Sequence, residues 1–300
     1  MISKEATELN RAFRQDMKDS GVFTQPTEEV RANWDAFGDS IPEYSPDVTI
    51  EPVDAGGVGA EWVAAPGAGD KRILLHFHGG GYAIGRPKSY RNYNARMSEA
   101  TGARILAVDY RLAPENPFPA AVDDTLCAYR WALSQGHDPN NIGFMGESAG
   151  GGLVFATLLA ARDQGLPLPG AAVAISPWID LANTGQSHIS NCEADPLIGP
   201  GALDNWATLY LNGADPKTPL ASPLYGDQTG LPPIYILVGG TEVLLDDSRE
   251  MLKKLSTASV NVTVEVAPEM PHIWPIFAYQ LPEGRSAIQH MGAFFDQYLR

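Results

Sequence analysis

The stretch GFMGESAGGGLV, from Gly143 to Val154, decides how this chain is read. It sets a single serine, Ser148, between Gly146 and Gly150, where an apolar segment, NIGFMGE, meets a segment of small and apolar residues, AGGGLVFATLLAARDQG. A solvent loop tolerates many residues at the two glycine positions. A sharp turn from a buried strand straight into a helix does not, because side chains there collide with neighbouring backbone. On such a turn the serine is held in a strained conformation with its hydroxyl clear of the sheet. The helix on its far side aims its N-terminal dipole at any negative charge developing beside it. Glycine-rich strand-to-helix turns also cradle phosphates, but this one has neither a P-loop lysine nor a G-x-G-x-x-G spacing. Ser148 therefore reads as a nucleophile.

Outward from that turn the same unit repeats. RILLHFH (72–78) is a continuous apolar run that suits a strand buried on both faces. ARILAVDY, GAAVAISPW, PIYILVGG and VNVTVEVAP read as further strands, and VTIEPV with GAEWVAAP as a strand pair ahead of them. Between them ARMSEATG closes a helix, AAVDDTLCAYRWALSQG and DDSREMLKKLSTAS form two more, and SAIQHMGAFFDQYL is the last. Strand and helix in turn predict an α/β fold, a mostly parallel sheet with helices on both faces. Residues 1–45 read as amphipathic helices, with Phe13, Met17, Phe23, Trp34 and Phe37 available for an apolar face. A stretch rich in Asn, Gly, Pro and aromatic residues, including CEADPLIGPGALDNWATLYLNG, interrupts the alternation late in the chain. The expected organisation is a core of residues 46–185 and 220–300, with residues 1–45 and an insertion at 186–219 forming a cap. Sites in parallel sheets lie at the carboxyl ends of the strands, so a cap there encloses a substrate.

A second glycine cluster, HFHGGGYAIG, follows the strand about seventy residues before the serine. Three glycines let backbone approach a ligand closely and leave N–H groups to point into a cavity. Gly80 and Gly81, with the amide of Ala149 next to the nucleophile, are the expected oxyanion donors. His78 is expected to brace that loop. A serine hydroxyl needs a base to attack a carbonyl, and on such a turn the chain order is serine, acid, histidine. His272, in APEMPHIWPIF straight after the last predicted strand, is the expected base; His76, His78, His137 and His188 come too early, and His290 falls within a helix. The acid belongs just beyond PIYILVGG, in TEVLLDDS. Glu242 is better placed to reach the histidine, with Asp246 the alternative; Asp246 and Asp247 suit the first turn of the next helix. Asp195 lies ahead of the strand that should deliver the acid. Tyr82, Trp206 and Tyr210 are candidate pocket aromatics.

The 300 residues are 44% hydrophobic and 19% charged, which describes a globular protein with a sizeable core. No apolar run reaches the roughly 18 residues of a membrane helix, and the charged N-terminal stretch is not expected to be a secretory leader. A cytoplasmic location is the default expectation. Cys127 and Cys192 have neither disulfide-framework nor metal-ligand spacing, so no metal is expected. A net charge of −15 argues against nucleic acid, anionic membrane and strongly anionic substrates, and leaves small neutral molecules.

HGGGYAIG, VDYRLAPENPFPAAVDD, GESAGGGL, SPWIDL, ADPLIGP and PHIWPIF, in that order, together resemble the bacterial hormone-sensitive-lipase family of carboxylesterases, from about residue 45 onward. The resemblance implies an α/β-hydrolase core under a helical cap, no cofactor, and hydrolysis of short-chain acyl esters through an acyl-enzyme. It carries over Ser148 as nucleophile, His272 as base, and Gly80, Gly81 and Ala149 as oxyanion donors. Two departures stand out. Glu147 occupies an elbow position where the family commonly has Asp, and Glu242 stands where the family commonly has an Asp-Pro-Leu segment. A lactonase or an amidase would use the same residues, and a peptidase has no support beyond them. A non-catalytic small-molecule receptor of the same resemblance lacks the histidine that is present here. VNVTVEVAP, the last strand, is expected at a sheet edge, and family members often dimerise through this element, so a homodimer is expected.

Overall fold

The structure, a computed structural model, describes residues 2–300. One sheet holds β1 (Thr49–Asp54), β2 (Gly59–Ala64), β3 (Gly69–Phe77), β4 (Ala103–Val108), β5 (Ile142–Glu147), β6 (Ala171–Ile175), β7 (Ile234–Gly239) and β8 (Val262–Ala267). Their order is β1-β2-β4-β3-β5-β6-β7-β8. The pairs β1–β2 and β2–β4 are antiparallel and all later pairs are parallel. The strand pair read from VTIEPV and GAEWVAAP thus extends one edge, and β8 forms the other. In β5, β6 and β7 every residue is buried, which is why these segments show no polar alternation.

The helices are α1 (Lys4–Phe13), α2 (Thr27–Ser40), α3 (Arg91–Thr101), α4 (Ala120–Ser134), α5 (Ala149–Asp163), α6 (Ser187–Ser190), α7 (Ala202–Leu211), α8 (Leu245–Thr257) and α9 (Pro282–Tyr298). Neighbouring residues of β5 show that both faces of the sheet are covered. Phe144 meets Tyr129 of α4, ring centroids 4.8 Å apart, while a side chain on Gly143 would strike Phe295 of α9. Successive strand residues point to opposite faces, so α4 and α9 lie on opposite sides. This is the α/β-hydrolase arrangement. No helix among the described residues is long and apolar enough to cross a membrane.

The elements outside the alternating core gather over the carboxyl ends of the strands. α1 buries Ala6, Leu9 and Phe13, the last edge-on to Phe277 at 5.0 Å. One π turn, Arg14–Lys18, prolongs α1 and carries two cations. The Lys18 ammonium donates to the carbonyls of Cys192, Glu193 and Asp195, and Arg14 donates to that of Glu193. These charge-assisted bonds to main-chain carbonyls fasten the N-terminal segment to the insertion that carries α6 and α7.

Candidate active site

Ser148 sits at the apex between β5 and α5 with φ 56° and ψ −122°, a left-handed conformation that a side chain adopts only under constraint. The constraint is visible. Its N–H donates to the Ile175 carbonyl of β6 at 2.9 Å, and its own carbonyl accepts from Gly152 and Trp178 at 3.0 Å each. The flanking glycines are steric necessities. A Cβ on Gly146 would lie 2.4 Å from the Gly150 carbonyl oxygen, and one on Gly150 would lie 1.9 Å from that of Phe77. On Gly152 it would meet the Trp178 carbonyl oxygen at 2.4 Å. The first turn of α5 is therefore pressed against β3 and the β6 loop.

His272 follows β8, and its Nδ1 lies 2.7 Å from Glu242 Oε2, both side chains buried. A carboxylate only accepts, so Nδ1 carries the proton and Nε2 is left as the basic nitrogen. Glu242 Oε1 in turn accepts from the Ser176 hydroxyl at 2.7 Å and from the Gly239 N–H. Burial raises the Glu242 pKa; the bonds from His272 and Ser176 oppose that rise. The carboxylate on the imidazole is Glu242 and not Asp246. Asp246 instead accepts from the Ser187 N–H while its own N–H donates to the Ser187 hydroxyl, a reciprocal tie from α8 to α6. Asp247 accepts from the backbone of Ile179 and Asp180 and pairs with His188 at 3.0 Å. Asp195 is fully buried; it accepts from Leu197, Ile198 and Val243 N–H groups, tying the insertion to the residue after Glu242.

Gly80 and Gly81 have φ values of 118° and 58°, so the loop after β3 takes a path that side chains disfavour. Neither of them, nor Ala149, donates its N–H to another described group. The loop is braced from below by Glu147: Oε1 accepts from the Gly79 N–H at 2.6 Å and Oε2 lies 2.9 Å from His76 Nε2. Glutamate, one methylene longer than the aspartate common here, makes both contacts. His78 stacks on Tyr110 at 4.2 Å and donates from Nδ1 to the Gly79 carbonyl. Burial pushes its pKa down to about 3, so it is a neutral brace and not a proton carrier.

Ser148, His272, Gly80 and Gly81 line one cavity. The Ser148 hydroxyl makes no hydrogen bond to the imidazole across it, a looseness common before substrate arrives. The remaining wall comes from Phe23 and Trp34 of the N-terminal segment, Ile84 and Ile273 of the core, and Leu197, Ile198 and Trp206 of the insertion. The Trp206 ring lies directly on Gly81 and edge-on to Phe23 at 5.1 Å. The space left is about 30 Å³, room for one or two waters and not for an acyl chain. Tyr82 and Tyr210, expected on this wall, are not on it. They stack face to face at 3.8 Å, both buried, and pin α7 to the backbone next to the Gly80–Gly81 loop. Stacking satisfies the two rings with each other, leaving neither to face a substrate. The wall residues Leu197, Ile198 and Ile273, and the support from Ser176, escaped the reading of the sequence; SPWIDL and ADPLIGP, the motifs that hold three of them, were the signal.

Residues 74–276 match the model of a family described as having the alpha/beta hydrolase fold. The chain is 48% identical over 259 residues to the acetyl-hydrolase of Streptomyces hygroscopicus, covering 85% of this chain and 86% of that protein. It is 33% identical over 251 residues to an esterase of Acinetobacter venetianus, covering 83% and 82%. The solved structure of an esterase of the bacterial hormone-sensitive lipase family superposes with a TM-score of 0.94 at 43% identity over the whole of both chains. That of EstE5 soaked with p-nitrophenyl butyrate superposes at 0.93, with 42% identity and 98% of each chain covered.

Proposed function

We propose, for a chain that belongs to the bacterial hormone-sensitive-lipase family of α/β hydrolases and is a carboxylesterase, that Ser148, His272 and Glu242 form its triad and that short, neutral acyl esters are its substrates. The observation that carries the reading is the shared cavity: the strained serine and the Glu242-bound imidazole face it with two glycine amides that have no internal acceptor.

In the reaction the Ser148 hydroxyl attacks the ester carbonyl and its proton passes to His272 Nε2. The negative charge on the former carbonyl oxygen is met by the N–H groups of Gly80, Gly81 and Ala149, preorganised and at the helix N-terminus. The imidazolium, held by Glu242, protonates the departing alcohol. Water then attacks the acyl-enzyme, giving its proton to His272, and the acid leaves as Ser148 is reprotonated. The apolar wall and the strong negative charge favour neutral substrates over anionic ones. Because the cavity is small, admitting an ester requires Trp206, Phe23 or Trp34 to move. With that wall opened, esters from acetate to octanoate are the proposed substrates and long-chain triglycerides are not. The homology to an acetyl-hydrolase and the butyrate ester soaked into EstE5 support the short end of that range. Exposed Val266 on the β8 edge suits a homodimer through that strand. The test is a hydrolysis screen with p-nitrophenyl esters of increasing chain length beside lactones and anilides, with Ser148→Ala as control. Anilides or lactones turned over faster than any ester would replace the substrate class, and organophosphate labelling that survives Ser148→Ala would replace the nucleophile.

A further inference from the structure

Ser176 is the first residue past β6, as Ser148 is the first past β5, and it too is held at positive φ, 46°. It is fully buried and lies outside the substrate cavity, so it is not a second nucleophile. Its hydroxyl bonds to both the loop after β7 and the loop after β8, beyond the last pair of those strands, Gly239 with Ala267. Oγ donates to Glu242 Oε1 at 2.7 Å and accepts from the Ile273 N–H at 3.1 Å, while its backbone N–H donates to the Leu237 carbonyl of β7 at 2.6 Å. The carboxylate accepts only, so the hydroxyl proton is committed to Glu242 and a lone pair is left for Ile273. Ile273 is a β-branched residue at φ 52°, next to His272, a costly conformation that persists only where its surroundings impose it. Tyr82, Ser148, Ser176 and Ile273, half of the positive-φ residues other than glycine, stand at the oxyanion loop, nucleophile, acid and base respectively. Without Ser176, Glu242 Oε1 keeps only the N–H of Gly239, the last residue of β7, and the carboxylate loses its one tie through Ser176 to the loop that carries the base.

We infer that Ser176 is a positioning residue, one hydroxyl that holds the acid loop and the base loop in register and acts on the reaction through Glu242. This rests on the triad proposed above.

The experiment compares Ser176→Ala, Ser176→Gly, Glu242→Gln and the double variant Ser176→Ala/Glu242→Gln on p-nitrophenyl butyrate, with active sites counted by organophosphate titration. Ser176→Gly is included because glycine adopts φ 46° without strain, so a loss shared with Ser176→Ala belongs to the hydroxyl and not to misfolding. Both single Ser176 variants are expected to lower kcat per titrated site about ten- to a hundredfold, the usual effect of a partner one shell out from the chemistry, with KM nearly unchanged. In the Glu242→Gln background the further loss of the hydroxyl is expected to cost less than about twofold, since residues acting as a unit are not additive. Wild-type kcat in both Ser176 variants beside an inactive Glu242→Gln overturns this inference and leaves the triad standing. A full additional loss in the double variant overturns it as well, because Ser176 would then act independently of the acid. Near-wild-type activity in Glu242→Gln overturns the triad and this inference with it.

Discussion

Two buried histidine–carboxylate pairs stand at the ends of parallel strands in this protein, nearly identical as pairs and opposite in use. Glu242 and His272 are 2.7 Å apart beyond β7 and β8; Glu147 and His76 are 2.9 Å apart at β5 and β3. Both carboxylates are fully buried, and both have a second oxygen occupied by a backbone N–H. The difference lies in the nitrogen that the carboxylate does not hold. That of His272 belongs to a side chain lining the cavity of Ser148. That of His76, Nδ1, is buried with no partner, under the rings of Tyr90 and Tyr93 at 5.4 and 5.6 Å. A histidine oriented by an acid is thus only half of a catalytic base. The other half is an outlet, and where aromatic rings close it the same pair becomes a strut for the glycine loop after β3.

Matched acid-to-amide changes challenge this division of roles most directly. Glu242→Gln should keep the fold and lower kcat by about four orders of magnitude, the cost of the analogous change in a serine protease. Glu147→Gln should cost about tenfold at most, because its amide oxygen still accepts from Gly79, against the roughly 10²–10³ attached to losing a whole oxyanion donor. Steady-state kinetics with circular dichroism on both variants decides the matter, and equal losses would erase the distinction.

Trp206→Ala tests the outlet itself. Removing the ring that lies on Gly81 should shift the best p-nitrophenyl ester toward longer acyl chains by several carbons, with a several-fold gain in relative kcat/KM on them. An unchanged chain-length profile would take Trp206 off the wall.

Stability against pH separates the two regions further, because they fail on opposite sides. Burial raises the Glu242 pKa, so the unfolded chain releases that proton at a lower pH than the folded one. Its contribution to stability is full below the ordinary glutamate value of about 4.3 and is lost as pH rises through the raised folded value. Glu242→Gln should therefore gain in Tm relative to wild type between pH 4 and pH 8. In the brace the sign reverses. His78 is pushed down to about 3, so its contribution is present above about 6.5 and is lost as pH falls from there, at up to ~1.4 kcal/mol per pH unit for one proton. His78→Gln should flatten the acid limb of a Tm-against-pH curve. The smallest effect belongs to Asp246→Asn. Activity should stay within about twofold, with a stability loss of about 0.3–1 kcal/mol from the α8 dipole, measured by urea denaturation.

The core strands, the elbow and the order of the proposed triad were legible in the sequence because each is a local matter. Apolar runs of strand length, a serine between obligatory glycines and a histidine just past the last strand require no knowledge of what lies opposite. The pocket was not legible in the same way. Tyr82 and Tyr210 looked like wall residues, yet they are 128 positions apart and spend their faces on each other. Ser176 read as part of the strand GAAVAISPW and Asp195 as a carboxylate ahead of the strand that should deliver the acid, because their roles depend on partners 66 and 48 residues away. Glu242 could be preferred over Asp246 by position, but only the fold shows Asp246 engaged with Ser187.

The glycines under the nucleophile also divide the molecule by what inheritance can alter. At Gly146, Gly150 and Gly152 even a methyl group would run into a carbonyl oxygen at 2.4 Å or less, so the floor of the site has almost no accessible neighbours in sequence space. The roof is assembled from Phe23, Trp34, Leu197, Ile198 and Trp206, side chains on two segments joined to each other by Arg14 and Lys18 through main-chain carbonyls. Bonds to main chain survive changes of side chain. Substitutions in the roof can therefore change what the cavity admits one residue at a time, while the glycines of the floor leave no room for a side chain.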